Sequence, residues 1–235
     1  MRSDYNGASL LQWTIAVGAV TNAHLILLGW ILFPTTAGEP RSWVGLAADF
    51  SVLAVYGVLG WWAVPATRRY DPRILLAGTA FGAIAGVVFI VEMIAEYTLL
   101  PDDNTTYGYV EFGTVFFLYA SAAFTIAWRT RQIRSGIAAS AWAAMISSTI
   151  WLFCLLVITY LFRETSRQTA VFQAEGNFDD FRRSGMADFN TFLMQDLMGA
   201  AFFHLLLGPA VAALLGCVVG AVGKLASHVR VTRAH

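Results

Sequence analysis

The chain has 235 residues, of which 57% are hydrophobic and only 13% charged. A soluble domain carries roughly 25% charged residues, so this chain lacks the polar surface to stay in water. Fifteen basic and fifteen acidic residues cancel, and no basic stripe is present, which argues against a nucleic-acid partner.

A helix needs about 20 apolar residues to cross a bilayer. Six runs meet that need, at 10–33, 43–64, 74–100, 109–128, 136–162 and 191–223. They predict one all-α domain over 1–235, a bundle of six transmembrane helices in contact with a lipid bilayer. Pro34, Pro65 and Pro101 follow the first three runs and are expected to stop them. The first run is too long for the apolar region of a signal peptide and is expected to remain as a span. The third run carries Gly78, Gly82 and Gly86, small residues at every fourth position. They let another helix approach closely, from this chain, from a second copy or from a partner in a membrane complex. Cys154 and Cys217 lie in separate apolar runs without a CxxC pattern, so neither a disulfide nor a zinc site is expected.

The links are short except for 163–190. Within it, 177–185 has acids in its first turn, arginines in its last and a closing glycine, the pattern of a short helix. It reads as an interfacial anchor or as a lid over an outward-facing site. Ten of the fifteen basic residues fall on one side of the six runs. The positive-inside rule makes that side cytoplasmic, with both termini on it. Trp13, Trp61, Trp62 and Trp128 at one level, and Trp30, Trp43 and Tyr109 at the other, form the expected aromatic belts. Lys224 is the one lysine; that arginine bias suggests a GC-rich genome, and the expected location is a cell membrane, a bacterial inner membrane.

Ionisable residues recur at similar depth. At about 1.5 Å per residue from the outer ends, Glu96, Asp196 and Asp49 lie about 6–9 Å in, Glu92 and His24 about 12–14 Å, and His204 about 20 Å. Glu111 is at the rim, where a helix N-terminus favours an acid. Glu92 and Glu96 are four residues apart and share one helix face. Asn22 sits below His24, and Tyr56 is among the few polar groups of the inner half. Acids inside a membrane are costly and mark ion or proton paths. Glu92, Glu96, Asp49 and Asp196 are therefore the expected ion or proton site, supported by Asn22, Glu111 and Tyr56.

A second pattern competes. Ala23-His-Leu-Ile-Leu-Leu-Gly-Trp30 and Phe203-His-Leu-Leu-Leu-Gly-Pro209 each set a histidine about one turn before a glycine. Two such histidines, His24 and His204, suit axial ligation of haem b or a transition metal. The first run resembles a segment of the haem–copper oxidase subunit I family, where such a run carries a histidine, often with another two residues earlier; here that earlier position is Asn22. That family's paired copper-site histidines have no counterpart here.

No GxSxG, HExxH or P-loop is present, and no lysine sits mid-span, so an enzyme is not the expectation. The leading expectation is proton- or cation-coupled transport of a small solute or ion. The alternatives are a haem- or metal-binding redox subunit and a structural or assembly subunit of a membrane complex.

Overall fold

The computed structural model describes residues 3–99 and 104–232. Leu100 and the stretch 101–103, with residues 1–2 and 233–235, lie outside the described residues. Eight α-helices follow in order: α1 Ser3–Leu32, α2 Pro40–Tyr70, α3 Pro72–Leu99, α4 Asn104–Thr130, α5 Ile133–Leu161, α6 Ser166–Glu175, α7 Asn177–Ser184 and α8 Phe189–Thr232. A short 3-10 turn, Pro34–Gly38, joins α1 to α2. Among the described residues there is no strand.

Six of these helices are long and apolar enough to cross a membrane: Gln12–Leu32, Pro40–Thr67, Pro72–Leu99, Thr106–Thr130, Ile133–Leu161 and Phe189–Ser227. The chain is thus a helical, multi-pass membrane protein. Many large apolar side chains of these spans face outward, among them Ile31, Val44, Trp62, Leu76, Phe117 and Leu161. In water such a surface would be unstable, whereas lipid tails match it.

α5 is the hub, packing on α1, α3, α4 and α8, while α2 bridges α1 and α8. The closest seam is α3 against α5. A Cβ on Gly82 would lie 2.5 Å from the Ala143 carbonyl oxygen, and Cβ atoms on Gly78 and Gly86 would meet Trp142 at 2.8 Å and Ile150 at 2.6 Å. The small-residue face is therefore filled by α5 of the same chain. Of the neighbours expected for it, the one seated there is this chain's own. Small hydroxyls add ties across the bundle. The Ser140 hydroxyl donates to the Ala212 carbonyl at 2.7 Å, and the Tyr119 and Ser147 hydroxyls share a bond of 2.5 Å.

Pro65 does not stop the second span; α2 continues through it to Tyr70. A proline lacks the N–H that would bond the carbonyl four residues back. Here that carbonyl, of Trp61, accepts instead from Gln12 Nε2 of α1 at 3.1 Å. Pro209 lies inside α8 and frees the Leu205 carbonyl in the same way. The Tyr56 hydroxyl of α2 donates to it at 2.6 Å. Backbone polar groups in a membrane need a protein partner, and these two side chains supply it.

The long link holds two helices rather than one. Thr165 caps α6 by accepting from the Gln168 N–H at 3.2 Å, and Gln168 Nε2 reaches the Thr159 carbonyl at 2.9 Å. α7 occupies the expected place, with Asp179–Arg182 and Asp180–Arg183 ion pairs. Gly176, at φ 80, separates α6 from α7, and Gly185, at φ 69, ends α7. Both are in the left-handed region, where a side chain would be strained. α7 buries no residue; it leans on α8 through Phe178 and Phe181, with Phe178 stacked on Phe189 at 4.8 Å.

Candidate functional site

The acids gather at the end of the bundle that carries α6 and α7. Glu92 and Glu96 project one turn apart from α3, and both are half-buried. Glu111 comes from α4 and is only 8% exposed, so it is not the solvated rim residue that its place in the sequence suggests. It lies within electrostatic reach of both Glu92 and Glu96. Glu175, the last residue of α6, completes the group beside Glu96. Withdrawal of its carboxyl from water pushes Glu175 up to about 8, with Glu96 the next contributor and Glu92 and Asp196 adding to it. As a whole residue Glu175 is exposed; it is the carboxyl end that lies among the other acids.

Asp196 is exposed on α8 and stands at the margin, in reach of Glu175 and of Asp180 on α7. No arginine, lysine or histidine among the described residues is one of the groups acting on Glu92, Glu111, Glu175 or Asp196. A second tie joins α6 to α3, where the Arg167 guanidinium donates to the Thr98 carbonyl at 2.9 Å.

Compared with protein families, with curated proteins and with solved structures, the chain matches none. Its chemistry therefore rests on the arrangement of its own residues.

Asp49 stands apart from this group. It lies on the face of α2 that packs on α8, has no exposed surface, and neither carboxyl oxygen has a hydrogen-bond partner. It is not among the charges that act on the other acids. The four residues expected to form one site thus occupy two seams.

The histidines have different surroundings. His24 is exposed on α1, with Nδ1 2.7 Å from the Val20 carbonyl of its own helix. His204 stacks on Trp151 at 3.9 Å between ring centroids and meets the edge of Phe89 at 5.1 Å. Asn22 Nδ2 donates to the Thr149 carbonyl at 3.0 Å, tying α1 to α5. Tyr56, already committed to Leu205, is likewise a packing tie. Among the described residues, no group of three or more His, Cys, Asp or Glu side chains has the arrangement to hold a metal ion.

A polar cavity of about 380 Å³ opens between the Pro34–Gly38 turn and the α7–α8 junction, lined by Thr35, Glu39, Arg41, Asp188, Thr191 and Gln195 among others. Asp188 caps α8 there, accepting from the Thr191 N–H and hydroxyl at 2.7 Å and the Thr35 hydroxyl at 2.8 Å. Burial works to raise its carboxyl, but these bonds outweigh it and hold Asp188 below the usual carboxylate range.

Glu175 is the residue that sequence reasoning missed. The signal for its helix was present, since Thr165-Ser-Arg-Gln168 has the Thr-x-x-Gln spacing of a capping box and Gly176 follows as a C-terminal stop.

Proposed function

We propose that this chain is a membrane transport protein that moves a small cation or protonated solute. Glu92, Glu96, Glu111 and Glu175 form the binding carboxylates and Asp196 stands at their mouth. The observation that carries this reading is the gathering of carboxyls from α3, α4, α6 and α8 within electrostatic reach of one another. Such a group is unfavourable in a low-dielectric setting unless protons or a bound cation neutralise it. The excess of basic residues on the opposite side makes the acidic end outward-facing, with both termini cytoplasmic, in a cell membrane. α7, held between two left-handed glycines, then serves as a lid.

Glu92→Gln keeps the size of the side chain and removes its charge. In liposomes the parent protein is expected to carry a cation or proton flux that varies with pH. The Glu92→Gln protein should fold equally well and lose both the flux and that variation. A variant that matches the parent's rate and pH profile would remove the proposal. The topology is tested separately in a background lacking Cys154 and Cys217. A cysteine at Gln173 should react with an impermeant thiol reagent outside intact cells, and one at Gln132 should not.

A further inference from the structure

The seam between α2 and α8 holds an acid that the acidic cluster does not use. Ser42, Gly45, Asp49, Leu53 and Tyr56 follow the three- and four-residue spacing of one helix face. Their contacts step along α8. Gln195 Nε2 donates to the Ser42 hydroxyl at 3.0 Å. A Cβ on Gly45 would lie 3.4 Å from Met198 Cβ. The Tyr56 hydroxyl meets the Leu205 carbonyl at 2.6 Å. Asp49 therefore sits between the levels of Met198 and Leu205, enclosed, with both oxygens unpartnered.

No charged side chain acts on the Asp49 carboxyl; burial is the one influence on it. His24 of α1 faces outward and is bonded within its own helix. An ionised carboxylate left alone in such a place is strongly disfavoured. A metal ion would need several further oxygens around it. The Tyr56 hydroxyl, two turns along the same face, is already engaged, and no metal-holding trio occurs among the described residues. A proton needs only the carboxyl itself.

We propose that Asp49 is a proton-binding site in its own right, separate from the acidic cluster and reached from the polar cavity through the Ser42–Gln195 pair. Gln195 lines that cavity, and its bond to Ser42 closes the way to Asp49. Asp49 lies seven positions after Ser42 on α2, about 10 Å along the helix. The intervening contact is a glycine against a flexible methionine, which yields more readily than branched side chains. Pro209 gives α8 a place to bend, because the carbonyl it frees is held from α2 and not by the helix itself. Bending α8 away from α2 parts Ser42 from Gln195 and admits water to Asp49. This site stands whether or not the acidic cluster transports anything.

Infrared spectroscopy of the purified full-length protein in lipid tests it without knowledge of a substrate. A protonated carboxyl that makes no hydrogen bond absorbs at the high-frequency edge of the carboxylic-acid band. The parent protein at mildly acidic pH should show that absorption. Asp49→Asn should lose it, Asp49→Glu should shift it, and Glu111→Gln should retain it. In heavy water the band should move slowly in the parent and faster in Gln195→Ala, where the closing pair is broken. Absence of the band from the parent, or its survival in Asp49→Asn, would overturn the site. An unchanged exchange rate in Gln195→Ala would overturn the route. Should Asp49→Asn fail to fold, the shift in Asp49→Glu decides the assignment alone.

Discussion

The α3–α5 seam and the α2–α8 seam are built on opposite terms. The first is three glycines laid against Trp142, Ala143 and Ile150, with no room for a methyl group. The second is a ladder of polar contacts, Ser42 to Gln195 and Tyr56 to the Leu205 carbonyl, with an unpartnered acid between them. Close packing resists displacement because any movement loses many small attractions at once. A polar ladder has few rungs, and each can be exchanged for water. The first seam thus fixes Glu92 and Glu96 in space, and the second gives Asp49 a setting that can open.

The sharpest way to break this contrast is Gly82→Leu. Its Cβ would fall 2.5 Å from a backbone oxygen, so the helices themselves must part. The expected cost is about 3 kcal/mol or more, read as a collapse in folded yield and thermal stability in detergent. Tyr56→Phe should rank next. It strands the Leu205 carbonyl beside Pro209 and should cost about 1–2 kcal/mol by the same thermal measurement. A stability equal to the parent would mean that α8 satisfies that carbonyl by other means.

Glu175→Gln sharpens the comparison by adding a third contact, between α6 and α3. With α6 docked, the Glu175 carboxyl is held up to about 8; released, it returns to the ordinary carboxylate range. The docked form thus keeps a proton that the released form gives up. Docking is favoured at low pH and weakens as pH rises from the ordinary carboxylate range through about 8. Exchange protection over 166–192, relative to the unstructured rate at each pH, should fall across that window in the parent. Glu175→Gln has no carboxyl to titrate there, so the fall should disappear; a parent-like fall would show that Glu175 does not govern the docking of α6. The smallest effect belongs to Gly45→Ala. The three atoms nearest its Cβ all belong to Met198, at ordinary contact distance, and the cost should stay under about 1 kcal/mol in the same melting experiment.

The six spans were legible because length and hydropathy alone decide whether a helix can cross a bilayer. The passage of α2 through Pro65 was not, because it depends on Gln12 of another helix. Depth could be counted along each run, and the four-residue spacing alone puts Glu92 and Glu96 on one face. Rotation about the helix axis could not be counted. Asp49 and Glu96 have similar depth but point into different seams, and only packing between helices decides that. The glycine stripe likewise announced a close neighbour without naming α5. Glu111 looked like a rim residue because its place in the chain says nothing of the helices that cover it.

The two prolines inside helices have a bearing on how this chain can change over generations. Pro65 with Gln12, and Pro209 with Tyr56, are each one structural decision written at two distant positions. A descendant that replaces Pro65 by alanine regains the backbone bond to Trp61 and releases the constraint on position 12. One that keeps the proline and loses the glutamine must recruit another donor or accept a stranded carbonyl. In each pair, substitutions should therefore arrive together, the proline changing first or not at all.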